Sequence, residues 1–250
     1  MVSVFRHSEI SESNHRILNP LSEAKLDELG VICRLTAGQR HLDLACGKGE
    51  MLCRYARDHG TVGVGVDIYP PFLAAARHRA VELGVAASVR FVEADAADVN
   101  DVAGDYDVVS CIGATWIGGG LPGTSPLMRR RARPGAWLLV GEVFWTAEPP
   151  APTRQAQEAT QSFADLAGTL DRFEAAGLEL VEMVLANADE WDRYQASQWL
   201  AASDWLAEHP DDPDAGDIRR TTDEWRRAYL ADLRRCMGWG VFVLRDRNDR

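Results

Sequence analysis

His41-Leu42-Asp43-Leu44-Ala45-Cys46-Gly47-Lys48-Gly49-Glu50 decides the reading of the chain, because a short apolar strand ending in an acid opens onto a glycine-bearing turn and then a helix start. Small residues at such a turn let backbone come close to a ligand, and the unpaired amides of the first helical turn are available to a polar group. The pattern then recurs. Asp67 ends the strand-like Gly63-Val64-Gly65-Val66-Asp67, and Asp95 ends Val89-Arg90-Phe91-Val92-Glu93-Ala94-Asp95.

Outward from this turn, strands near 39–44, 61–67 and 88–94 alternate with helices near 49–59 and from Pro70-Pro71 to Gly84. Such alternation means a parallel sheet with crossover helices. Asp105 to Ile112 and Ala136 to Glu142 read as a fourth and a fifth strand, apolar enough to be covered on both faces, with Arg133-Pro134-Gly135 as a turn between them. A sixth strand opens at Gly177 and a seventh spans Trp239 to Leu244. The expected fold is therefore α/β, a doubly wound, seven-stranded, mostly parallel sheet.

Before the first strand, residues 1–20 read as irregular, and Ser22 caps a helix reaching about Arg34, with Leu21 and Leu26 spaced as a hydrophobic staple. Residues 146–160, with Pro149, Pro150 and Pro152, read as a loop over the carboxyl edge of the sheet, ahead of a helix near 162–176. Ala188 to Met237 is too long for a simple connection and reads as a helical insertion. At helical spacing Trp191, Tyr194, Trp199, Ala202, Trp205 and Leu206 share one half of a first helix. A second is expected to begin at Thr221, with Glu224 completing a capping box. The expected division is a cap segment and helix at 1–34, then one domain at 35–250 carrying the insertion at 188–237.

The 250 residues, 46% hydrophobic and 26% charged, match an ordinary globular protein. No stretch has the length and apolarity of an export signal or a bilayer span, so no membrane partner and a cytoplasmic location are expected. Five scattered cysteines without a Cys-x-x-Cys pair imply reduced thiols and no metal. A net charge of -11 opposes binding to phosphate backbones, so nucleic acid is not expected as a partner. Arg129 to Arg131 with Arg133 form the one basic cluster, read as a solvated helix end.

In an open parallel sheet, ligands collect beyond the carboxyl ends of the strands where strand order reverses. The first turn offers Ala45, Cys46, Gly47 and Gly49. Asp67, about 24 residues after Asp43, can accept from both hydroxyls of a ribose. Asp95 can accept from an exocyclic adenine amine, and the backbone from Cys111 to Gly113 can border the purine. An adenosine fits these stations. The turn is not Gly-x-Gly-x-x-Gly, so a pyrophosphate cradle is poorly made, and no Gly-Lys-Ser/Thr is present for a nucleoside triphosphate.

Over roughly residues 35–185 the sequence resembles the class I S-adenosylmethionine-dependent methyltransferases. Leu42 to Gly49 is similar to the family's Asp-x-Gly-x-Gly-x-Gly loop. Asp67, Asp95, Tyr106-Asp107-Val108-Val109 and Arg133-Pro134-Gly135 stand at its later stations. Ala45 replaces the first loop glycine, a change that needs a backbone conformation open to alanine. The segments Ser11 to Ile17 and Gly113 to Gly120 resemble a group of bacterial methyltransferase-like proteins, a likeness that names no substrate. The resemblance implies a Rossmann-like fold with S-adenosylmethionine as cofactor. Asp67 would hold the ribose, Ile68 pack on adenine, Asp95 and Ala96 meet the adenine edge, and Gly47 and Gly49 admit the methionine end. Asp43 is a further candidate for this site, with Cys46 and Cys111 as small fillers of its wall.

Methyl transfer from a sulfonium demands chiefly that the acceptor be held in line with the methyl carbon and shielded from water, so a catalytic residue need not be recognisable. Trp116 and Glu142 are the foremost pocket candidates, followed by Trp191 and Tyr194. Glu142 either binds or deprotonates substrate or serves as a buried hydrogen-bonding group. His15 is a second candidate base or part of a lid. The Trp-rich face of the insertion either packs as core or lines a chamber for a flat or apolar small molecule. No Asn/Asp-Pro-Pro-Tyr/Phe signature is present in the acceptor loops. The expected activity is methyl transfer to a small molecule, the alternatives being a non-catalytic cofactor-binding regulator and a nicotinamide-dependent oxidoreductase.

Overall fold

The computed structural model describes residues 3–98, 104–159 and 161–249. Residues 1, 2 and 160, which belong to stretches expected to be irregular, lie outside them. The strands are β1 (Arg40–Leu44), β2 (Val62–Asp67), β3 (Val89–Glu93), β4 (Tyr106–Ile112), β5 (Ala132–Trp145), β6 (Leu178–Leu185) and β7 (Met237–Asp246). They form one sheet in the order β3-β2-β1-β4-β5-β7-β6. The first five run parallel, and β7 lies antiparallel to both β5 and β6. Strand order reverses between β1 and β4, which opens the crevice at their carboxyl ends.

Helices α2 (Glu23–Ile32), α3 (Glu50–His59) and α4 (Pro70–Glu82) cover one face, and α5 (Leu121–Arg129) and α7 (Leu166–Ala175) cover the other. Val108 packs with Leu26, Leu29 and Tyr55, while its neighbour Val109 packs with Met128 and Phe173, as side chains alternate across a strand. Both valines are fully buried, so the strand is an unbroken apolar run and not an alternating one. Ser22 caps α2 by accepting the Lys25 amide, and Leu21 and Leu26 are both buried, as a staple requires. Arg54 of α3 then fastens α2 with a two-pronged contact to Asp27 (3.0 and 2.7 Å) and a bond to Glu23 (2.8 Å).

Several local expectations are corrected. Residues 4–11 are not irregular but form helix α1 (Val4–Ser11), whose first turn is capped by Ser3 accepting from the Arg6 amide. The proline-rich stretch after β5 contains helix α6 (Ala151–Glu158), because its prolines fall at the first helical turn, where no amide is needed. Arg133-Pro134-Gly135 is not a turn outside the sheet. It lies inside β5, where the register against β4 jumps and Gly135 adopts a φ of 75°. Helix α8 (Ala188–Glu208) owns the capping box, formed by Asn187 and Glu190. The second helix of this region, α9 (Ala215–Ala228), begins six residues before Thr221, which is mid-helix. A π-helical turn at Tyr229–Leu233 and the single turn α10 (Arg234–Cys236) then lead into β7. No helix among the described residues is long and apolar enough to cross a membrane.

Candidate active site

The turn after β1 is built from three departures from ordinary backbone at alternate residues. Ala45, Gly47 and Gly49 have φ of 57°, 53° and 67°. The turn closes on itself with the Gly49 amide donating to the Cys46 carbonyl (2.9 Å), and docks on β2 with the Cys46 amide donating to the Val66 carbonyl (2.9 Å). Asp67, at the end of β2, accepts the Gly47 amide on one oxygen (2.8 Å) and the Tyr69 amide on the other (2.9 Å). It is buried to 8% exposure, which raises its carboxyl above the ordinary value, while those two amides pull it down. Each oxygen keeps a further lone pair for a ligand.

Asp67 pairs with Glu93 across β2 and β3, and the Ala94 amide donates to the Asp67 carbonyl (3.1 Å). Asp95 therefore emerges on the same carboxyl edge as Asp67. It is exposed and accepts the Ala97 amide (2.9 Å), capping a short 3-10 turn that contains the buried Ala96. Beside Asp67, Ile68 leaves an apolar side chain 53% exposed. An exposed isoleucine next to one acid, with a second acid on the same edge, suits a flat apolar ring attached to a polyhydroxylated sugar. The residues present fit an adenosine.

Asp43 is placed differently from its neighbours on this edge. It is buried and accepts the Ser110 hydroxyl (2.6 Å), and Ser110 in turn meets His41 Nε2 (2.7 Å). If Ser110 donates to Asp43, His41 donates through Nε2, which leaves its Nδ1 bare and buried. Burial pushes the Asp43 carboxyl up to about 7 and the His41 imidazole down to about 3. This chain ties β1 to β4 beneath the turn. Cys46 packs its sulfur beside Gly65, and Cys111 is fully buried in the main core, so only its backbone approaches the edge.

On the acceptor side, Glu142 lies one residue beyond the last β5 residue paired with β4. It is buried and accepts from Thr115 (2.6 Å), from the Val143 amide (3.0 Å) and from Gln161 at both oxygens (3.2 and 3.1 Å). Burial raises its carboxyl to about 7 against those donors. Trp116, in the 3-10 turn after β4, is 62% exposed. Trp191 packs instead among Trp145, Trp199 and Tyr229. Tyr194 and His15 come together: their rings stack at 4.7 Å.

The N-terminal segment runs along this edge, tied by residues that sequence reasoning passed over. Tyr69 stacks on Phe5 and donates to Glu9 (2.6 Å), which sets α1 beside the Asp67 turn. Lys48 donates to the carbonyls of Glu12 (2.6 Å) and His15 (2.8 Å). Leu18 abuts Gly47, and Asn19 reaches the Ile112 carbonyl (3.4 Å) at the end of β4. The signal in the sequence was the charged Lys48 between two glycines. Gln161, a lone amide in a loop, carried none.

Ala45 spends its side chain on a left-handed conformation that costs an L-residue about 1–2 kcal/mol, against the roughly 0.5–1 kcal/mol that glycine loses in flexibility. Ala45→Gly is therefore expected to raise stability by up to about 1 kcal/mol in urea unfolding, and a lowered midpoint would contradict the strain. Asp43 and Glu142 both hold their protons more tightly folded than unfolded, where carboxyls titrate near ~4. Their contribution is present below about pH 4 and drains away as pH rises through about 7. His41, pushed down by burial, works in the opposite sense, so the test is a difference: between about pH 4 and 7 Glu142→Gln should gain stability relative to wild type as pH rises, and identical slopes would rule out the buried proton.

Residues 42–135 match the methyltransferase domain family. A crystal structure of an S-adenosylmethionine-dependent methyltransferase from Geobacter sulfurreducens, solved with S-adenosyl-L-homocysteine, is 44% identical and superposes with a TM-score of 0.91 over 99% of this chain and 100% of that one. The Escherichia coli protein YjhP, itself uncharacterised, is 44% identical over 94% of this chain and 96% of its own length. A 27-O-demethylrifamycin SV methyltransferase from Amycolatopsis mediterranei is 26% identical over 71% of this chain and 66% of its own. With an adenosine-fitting edge on this sheet and near-complete likeness to such enzymes, the chain belongs to the class I S-adenosylmethionine-dependent methyltransferases.

Proposed function

We propose that the enzyme methylates a small molecule, held at the carboxyl edge between the N-terminal segment and the turn after β4. The observation that carries this reading is the path of residues 12–19, fastened at the β1 turn through Lys48 and Leu18 and at the end of β4 through Asn19. A chain strapped across the switch point narrows the approach and favours a compact acceptor over a polymer. The charge of -11 adds repulsion toward nucleic acid, and the rifamycin-modifying relative acts, by its name, on a small molecule.

S-adenosylmethionine, when bound, supplies a methyl group made electrophilic by its sulfonium sulfur. The chain's own residues bind, orient and enclose. Asp67 would take the ribose hydroxyls on its remaining lone pairs, Ile68 and Ala96 the adenine, Asp95 the exocyclic amine, and the backbone of Gly47 and Gly49 the methionine end. Asp43 acts from below by holding β1 to β4, and Glu142 by fixing Thr115 and hence the turn that carries Trp116. Excluding water and fixing the angle of approach can account for about 7–11 kcal/mol of barrier. When the protein is incubated with donor labelled in its methyl group and a cell extract, label should enter the low-molecular-weight fraction. Label confined to protein or nucleic acid would contradict the proposal.

A further inference from the structure

The strap over the switch point carries a pair of side chains that the cofactor does not need. Glu12 is buried, with three side-chain donors around its carboxylate. Tyr194 and Gln198 of α8 donate to Oε1, each at 2.6 Å, and His15 Nδ1 meets Oε2 at 2.6 Å. An ionised carboxylate only accepts, so the proton at that contact belongs to His15 Nδ1. Nε2 is then left as a bare lone pair, and no hydrogen bond occupies it among the described residues. The ring is held flat against Tyr194 (4.7 Å, 20°), and its side chain remains 14% exposed, enough for one small group to reach it.

Its position is fixed from the cofactor side. Lys48, between the two glycines of the β1 turn, grips the carbonyl of His15 itself, and three residues on Leu18 closes against Gly47. His15 is thus anchored to the same turn whose backbone would border the methionine end. Orientation by a carboxylate on one nitrogen, a free lone pair on the other and rigid stacking equip the ring to act as a general base on a group held within its hydrogen-bond reach.

We infer that His15 is the base that accepts the proton of the methyl acceptor, with Glu12 as its positioning residue, so that the acceptor carries a proton on the atom that is methylated, as a hydroxyl does, and is not a tertiary amine or thioether. This rests on the small-molecule reading above. As the acceptor oxygen forms its bond to the methyl carbon, the O–H proton passes to Nε2 and its bonding pair stays on oxygen. The pair of the breaking C–S bond returns to sulfur. The imidazolium faces the Glu12 carboxylate and gives its proton to water after the product leaves. The charged and titratable groups around it are Glu12 on its own segment, Lys48 on the β1 turn, Tyr194 on α8, and His7, which senses Glu12 from α1.

Nitrogen-15 NMR on histidine-labelled protein saturated with S-adenosylhomocysteine tests this without a known acceptor. The expected result at alkaline pH is His15 protonated on Nδ1 in the wild type and a mixture of the two tautomers in Glu12→Ala, which removes the acceptor at Nδ1. An Nε2-protonated tautomer, readable in the wild type alone, overturns the assignment. So does a tautomer indifferent to Glu12→Ala. The partition of methyl label between low-molecular-weight and polymer fractions tests the parent reading separately. With phenols as acceptors, His15→Ala should lower methyl uptake by about 100-fold or more, the scale of a lost general base; equal uptake by phenols in wild type and variant contradicts the role.

Discussion

The Asp67 carboxylate, accepting one amide from the β1 turn and one from the start of α4, is the joint on which the site depends. Without it the left-handed Gly47 is held to β2 only through its neighbour, the Cys46 amide on the Val66 carbonyl. The joint is strong because it is buried and because both its donors are backbone, which cannot swing away. The same group keeps a lone pair on each oxygen, so in the proposed site one side chain both holds the fold and receives the ribose.

Above this joint the N-terminal segment acts as the fourth wall. Its attachments are both polar and apolar: Lys48 to two carbonyls, Tyr69 to Glu9, Tyr194 to Glu12 and to the Leu18 carbonyl (3.0 Å), and the buried Ile10 packed with Ala202 and Ile218.

Much of this was legible in the chain. The β1 turn, Asp67 and Asp95 could be placed because they punctuate a regular alternation of strand and helix, and regularity is what periodicity detects. Elements whose local signals conflicted were harder. Prolines at the start of α6 looked like loop residues until their position at the helix's first turn was known. Thr221 and Glu224 offered a capping box, yet tertiary packing begins the helix six residues earlier. Glu12 was not legible as part of a site, since its partners Tyr194 and Gln198 lie more than 180 residues away in sequence. The strain at Ala45 was hidden for another reason: nothing in the letter alanine reveals a positive φ.

The central claim is that the carboxyl edge from Gly47 through Asp67 to Asp95 seats the adenosine of the methyl donor. Isothermal calorimetry of S-adenosylhomocysteine against wild-type protein and Asp67→Ala, with circular dichroism to confirm that the variant is folded, addresses it most directly. The account predicts affinity at least about tenfold weaker in the folded variant, the loss of roughly 1.4 kcal/mol or more of hydrogen bonding to the sugar. Equal affinity in the two proteins would contradict it.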